Sequence, residues 1–154
     1  MNITVKFRGF SSDLNKWIYG SLHKPFDDVA QIIERTLRNA SQMTLVVNGS
    51  EGQFIGSFDK NGNEIYSGDI VETGKFYFIA NKDDGFEVGS KVFCDYSPRE
   101  DLKKEKLVVE YRVGLCGYFP FSEPSMGGYE YDTYNPNHCI VIGNRYEHSH
   151  LLSE

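Results

Sequence analysis

Apolar positions alternate along most of the chain. Ile3, Val5 and Phe7 are separated by Thr4, Lys6 and Arg8, the two-residue period of a half-buried strand. Turn chemistry at residues 11–15 divides this run from Lys16-Trp17-Ile18-Tyr19-Gly20, which reads as the returning strand of a hairpin. The period then changes. Val29, Ile32, Ile33, Leu37 and Ala40 recur at helical spacing, Pro25 suits a first helical turn, and Asp27 and Asp28 complement a positive helix N-terminus. The spacing predicts one amphipathic helix, ending within residues 39–42 and packing its apolar stripe on a sheet.

Beyond that point strands and turns dominate. Residues 43–47 form a run closed by Asn48-Gly49, and residues 53–58 lead into Asp59-Lys60-Asn61-Gly62-Asn63. Asn61-Gly62 is a strong tight-turn signal because both residues tolerate positive φ. Glu64-Ile65-Tyr66, a second turn at Ser67-Gly68-Asp69 and Ile70-Val71 follow. Further strands are expected over residues 75–80, 91–96, 106–113, 117–121 and 139–146, with an exposed, charged connection at 97–104. Gly143, inside the last of these, suggests a bulge or close backbone approach, and Asn144 can tie off the sheet edge.

Residues 119–137 break the pattern. They hold three prolines, a Gly127-Gly128 pair, and Phe119, Phe121, Met126, Tyr129, Tyr131 and Tyr134. A loop this long is uncommon and often functional. Tyr and Phe offer contact area with few rotors to freeze, so these six residues form a candidate interaction loop. Equally, the same rings would serve to cap an open barrel end or pack against the helix.

Composition supports the strand reading: 14% of residues are aromatic, with 11 Phe and 10 Tyr, which fit a pleated surface. The net charge of -6 runs against a surface that neutralises phosphates, although an acidic protein can imitate nucleic acid. Cys94, Cys116 and Cys139 are odd in number and show no zinc or disulfide spacing, which points to reduced thiols and a cytoplasmic protein. No apolar run reaches the roughly 18 residues of a membrane span, and the first residues do not read as a leader. A chain of 154 residues needs neither disulfides nor metal to fold.

Catalytic signatures are missing from the sequence: there is no phosphate-binding glycine loop and no nucleophile elbow. His148 and His150, if extended, share one face and could clip a divalent ion with Glu147 or Cys139, but no third ligand is specified. Glu100, Asp101, Glu105 and Glu110 are acidic enough for paired-carboxylate chemistry, yet lie among lysines in a solvated setting. The expectation is no enzyme, no cofactor and no metal.

Three blocks carry a resemblance. Residues 59–71, D-K-N-G-N-E-I-Y-S-G-D-I-V, and residues 141–147, V-I-G-N-R-Y-E, continuing to Leu152, resemble the central and closing motifs of the YopX family, found largely in phages and prophages. Lys6-Phe7-Arg8-Gly9 with Trp17-Ile18-Tyr19-Gly20 is similar to its opening. The chain departs from the family at His148-Ser149-His150, where an Asn-Pro-Glu type sequence is usual, and in a longer helix and aromatic loop. The resemblance implies a small, mainly β protein with an SH3-like barrel and no catalytic residues to carry over. Its motif residues, read as structural, are Asp59, Asn61, Gly62, Ile65, Tyr66, Gly68, Asp69, Ile70, Val71, Ile142, Gly143, Asn144 and Tyr146.

The expected architecture is therefore mainly β (α+β by strict count): an SH3-like β-barrel core over residues 59–154, preceded by a β-hairpin, helix and strands over 1–58, in one compact unit. The expected function is a non-enzymatic interaction module of a phage or other mobile element in the host cytoplasm. Its partner would be a host or phage protein, with self-association through the loop or a free sheet edge as a further outcome. A nucleic-acid-related role is the alternative, and no membrane contact is expected.

Overall fold

The computed structural model describes residues 5–35, 40–73, 76–79, 104–121 and 130–153, with backbone pairing alone for 76–79 and 130–133. The expected strand at 91–96 lies outside the described residues. The first hairpin forms as its alternation requires. Strand β1 (Phe7–Ser11) pairs antiparallel with β2 (Lys16–Phe26), in register from Phe7 opposite Gly20 to Ser11 opposite Lys16. Ser11 Oγ accepts from Leu14 N–H in the connecting turn.

The predicted helix is not present. Residues Val29–Arg35 form strand β3, and Ser41–Val46 form β4 beside it; Leu37 lies outside the described residues. Asp27 and Asp28 make a two-residue turn between β2 and β3 and cap no helix. The misreading has a physical cause. Val29, Ile32 and Ile33 are β-branched, stiff at χ1 and at home on a pleated face. The same segment also obeys period two, with Ala30 and Ile32 fully inward. Flanking strands on both sides supply the backbone partners that a helix would have found within itself.

The six-stranded sheet runs in the order β4-β3-β2-β1-β5-β6, where β5 is Gly52–Phe58 and β6 is Glu64–Tyr66. Its first four strands curl until β4 meets β1: Val47 N–H donates to Phe10 O at 2.8 Å. Gly9 is required there, because a Cβ would come within 2.7 Å of the Val46 side chain. The concave side buries Ile18, Ala30, Ile32 and Val46, with Phe7 and Leu22 against them.

A second core forms around β7 (Asp69–Thr73), the centre of a three-stranded sheet flanked by β9 (Glu105–Val108) and β13 (Ile140–Asn144). Strand β8 (Phe76–Ile79) pairs with β12 (Glu130–Thr133), and β10 (Glu110–Arg112) with β11 (Gly117–Phe119). Ile65, Val71, Val109 and Cys139 are buried together, covered by Ile55, Leu107, Tyr118, Phe121 and Val141. The protein is mainly β with antiparallel sheets, and among the described residues the helical segments are three short 3-10 turns. Among the described residues the sheets do not close into a barrel.

Candidate functional site

The strand register brings the three motif blocks together at Arg8. On β1 the two-residue period turns Arg8 to the convex face, opposite Tyr19 of β2. There its guanidinium lies between two rings, 4.7 Å from the Trp17 centroid and 4.7 Å from that of Tyr66. Its Nη2 donates to Asp69 Oδ1 in an ion pair, while Nε has no acceptor among the described residues. Asp69 Oδ2 accepts from Tyr66 N–H at 2.7 Å. Burial pushes the Asp69 carboxyl above its ordinary range, opposed by Arg8 and the Tyr66 amide.

The closing block completes the arrangement. Asn144 stands opposite Asp69 on β13, and its Oδ1 accepts from the amides of Tyr146 and Glu147. Glu147 Oε2 in turn accepts from Asn144 Nδ2 and Trp17 Nε1, both at 3.0 Å. Those two hydrogen bonds hold the Glu147 carboxyl below its usual value. Tyr146 packs its ring on Trp17 and Phe10. The β13 register shifts between Val141 and Gly143, so Ile142 is the extra residue of a bulge. His148 folds back over Gly143, where a Cβ would lie 2.9 Å from its ring.

The turn at residues 59–63 is held by one carboxylate. Asp59 Oδ1 accepts from the amides of Asn61 and Asn63; Oδ2 accepts from Asn63 Nδ2 and from Val141 N–H of β13. Gly62 has φ +83°, and its amide reaches Asp59 O at 3.0 Å. At the second turn, Gly68 has φ +91°, donates to Val109 O and accepts from Arg145 N–H. Ile65, Ile70 and Val71 are wholly buried. The motif residues thus form joints between strands.

Beside Arg8 an open cleft of about 440 Å³ is lined by Lys6, Arg8, Tyr19, Gly62, Asn63, Glu64 and Tyr66. Lys6 Nζ donates to both Glu64 oxygens, at 3.0 and 2.7 Å, and the Tyr66 hydroxyl donates to Glu64 at 2.6 Å. These bonds hold the Glu64 carboxyl below its ordinary range, Lys6 contributing most. Tyr19 is 43% exposed, with its ring 5.8 Å from that of Tyr66. Sequence reasoning did not select Tyr19, Arg8 or Lys6 as site residues. The available signal was the strand period, which places Arg8 and Tyr19 on one face once the hairpin register is known.

The aromatic loop is split by the fold. Phe121 covers the second core, and Phe119 lies under the Arg112 guanidinium at 3.6 Å. Tyr134 is buried and donates from its hydroxyl to Glu105. Met126 and Tyr129 lie outside the described residues, as does the side chain of Tyr131. Of the acidic candidates, Glu105 holds Tyr134 and Glu110 pairs with Arg112; Glu100 and Asp101 lie outside the described residues. His148 and His150 are not extended, because the chain turns into a 3-10 segment at Ser149–Leu152, and their ring centroids are 6.1 Å apart. Glu147 is committed to Trp17 and Asn144, and Cys139 is buried in the second core. Among the described residues no three His, Cys, Asp or Glu side chains form a group able to hold a metal ion.

Compared with known proteins, the chain matches a family model described as YopX protein over residues 6–153. No curated protein matches it.

Proposed function

We propose that this chain, which belongs to the YopX protein family, works as an interaction module that binds another protein and catalyses no reaction. One observation carries the reading: the cleft beside Arg8 exposes a tyrosine face while the carboxylates around it are already engaged. Glu64 is held by Lys6 and Tyr66, and Asp69 by Arg8 and the Tyr66 amide. An acid or base for catalysis needs a lone pair or proton free to move. Here both are committed to holding the walls, which suits a rigid contact surface with an aromatic anchor.

The same pairing weighs against direct nucleic-acid binding, since Lys6 and Arg8 are each neutralised by a carboxylate. Acidic mimicry stays compatible with the net charge of -6. We read the bent sheets around the second core as an SH3-like barrel and the setting as a phage or mobile element in a host cytoplasm. The first reading rests on the family and the antiparallel strand pattern, the second on the family alone.

The test is retention of a partner by the immobilised chain against its Tyr19→Ala variant, after nuclease treatment. Tyr19 is 43% exposed, and an unchanged circular dichroism spectrum checks that the variant folds. The expected result is a protein retained by the parent and reduced about tenfold or more by the variant, the scale of an interface tyrosine. A partner held equally by both, or retention abolished by nuclease, overturns the reading.

A further inference from the structure

We propose that the turn between β4 and β5 is a self-modifying site, at which Asn48 loses its side-chain nitrogen as ammonia and becomes aspartate or isoaspartate. The chain contains two Asn-Gly pairs, Asn48-Gly49 and Asn61-Gly62, both exposed and both in turns. In any such pair the glycine nitrogen can close a five-membered ring on the asparagine Cγ, and glycine has no side chain to block the approach. Two obstacles remain. The amide nitrogen must give up its proton as it attacks, and negative charge builds on the carboxamide oxygen.

At Asn48 the fold meets both. Gly49 N–H donates to Glu51 Oε2 at 2.6 Å, within reach of proton transfer to the carboxylate. Lys24 Nζ, arriving from β2, donates to Asn48 Oδ1 at 3.0 Å and pairs with Glu51 Oε1 at 2.7 Å. An ammonium offers only hydrogens, so the carboxamide oxygen is the atom that faces it. The space around Gly49 is open, since a Cβ there would meet nothing within 4 Å. At Asn61 the setting differs. Gly62 N–H donates to Asp59 O, a neutral carbonyl, while Asp59 Oδ1 accepts from the amides of Asn61 and Asn63.

Gly49 N bonds to Asn48 Cγ as its proton passes to Glu51, and Lys24 stabilises the charge on Oδ1. Glu51 then hands that proton to Nδ2, the Cγ–Nδ2 bond breaks and ammonia leaves a cyclic imide. Water opens the ring. Cleavage of the new N–Cγ bond gives aspartate, and cleavage of the old backbone C–N bond gives isoaspartate. Isoaspartate lengthens the backbone inside the turn where Ser50 N–H and hydroxyl donate to Val47 O and Ser50 Oγ accepts from Phe10 N–H of β1. The modification therefore slackens the tie between this turn and the first strand.

Incubation of the folded full chain at mildly alkaline pH, followed by peptide mass spectrometry, reads conversion at both asparagines. Asn48 should convert about tenfold faster than Asn61, and the two rates should converge in guanidinium chloride. Glu51→Gln and Lys24→Met should each slow Asn48 about tenfold or more while leaving Asn61 unchanged, with circular dichroism confirming that both variants fold. Equal rates in the folded chain overturn the proposal, as does a difference that survives unfolding. Conversion of Asn48 that is untouched or accelerated in either variant also overturns it, because Lys24 and Glu51 would then shield the turn instead of driving its chemistry.

Discussion

Arg8 and Asp69 form an ion pair that joins the first strand to the central strand of the second core, 61 residues along the chain. Their side chains are 11% and 1% exposed, so neither charge can fall back on water if its partner is lost. Asp69→Ala and Arg8→Ala should each destabilise the protein by about 3 kcal/mol or more in urea titrations, because each strands a buried charge. The double variant should lose less than the sum of the two. Additive losses would mean that the pair does not act as a unit.

Acid should unfold the protein through the joints between strands. Burial raises the Asp59 carboxyl, but hydrogen bonds from Asn63, Val141 and Asn61 together outweigh it and leave it below its ordinary 3.8. Glu64 and Glu147 likewise sit below their ordinary 4.5. A carboxylate with a lowered pKa contributes stability that is present above its unfolded value and lost as pH falls through the folded one. Asp69 is shifted upward and works in the opposite sense. The melting temperature should hold from neutral pH to about pH 5 and decline below it, more steeply for the parent than for Asp59→Asn. Equal slopes would remove Asp59 from the account.

The two described cysteines should react very differently. Cys116 is exposed, whereas Cys139 is buried and its thiol is pushed up to about 12 by burial and the nearby Asp59 charge. Alkylation requires the thiolate. Iodoacetamide at mildly alkaline pH should label Cys116 in the native protein and reach Cys139 only after unfolding, as read by peptide mass spectrometry. Native-state labelling of Cys139 at the Cys116 rate would contradict the buried second core.

Gly143 and Gly114 make a matched pair for alanine substitution. At Gly143 a Cβ would press on His148 at 2.9 Å, whereas at Gly114 it meets nothing within 4 Å. Gly143→Ala should cost about 1–3 kcal/mol as an overpacked site. Gly114→Ala should be neutral or stabilise by up to about 1 kcal/mol by restricting the unfolded chain. Thermal denaturation of the two variants decides, and a neutral Gly143→Ala would show that His148 moves aside freely.

The strands flanking Asn61-Gly62 and Gly68 were legible because turn chemistry and alternation agree there. Gly143 was legible for a related reason, since a glycine inside a strand marks a bulge or a close approach. Residues 29–35 misled because Val29, Ile32 and Ile33 satisfy a helical stripe as well as a strand face, and only their neighbours decide. Pairing of β3 with both β2 and β4 is long-range information that no local window contains. The Arg8 stack was hidden for the same reason. Trp17, Tyr66 and Glu147 are far apart in sequence, and nothing local announces that the first two flank one guanidinium while the third accepts the indole N–H. The aromatic residues near 119–134 were visible as a group, but composition cannot tell a ring that caps a core, as Phe121 does, from one that meets a partner.

The hydrogen bond from Trp17 to Glu147 spans 130 positions of the chain. A ribosome therefore exposes the first hairpin long before it makes the segment that covers it. Until then Trp17, Phe10 and the flank of Arg8 face solvent without Tyr146 and Glu147, and a stop codon before residue 144 would leave them so for good. Residues 144–147 act as the latch that ends this exposure.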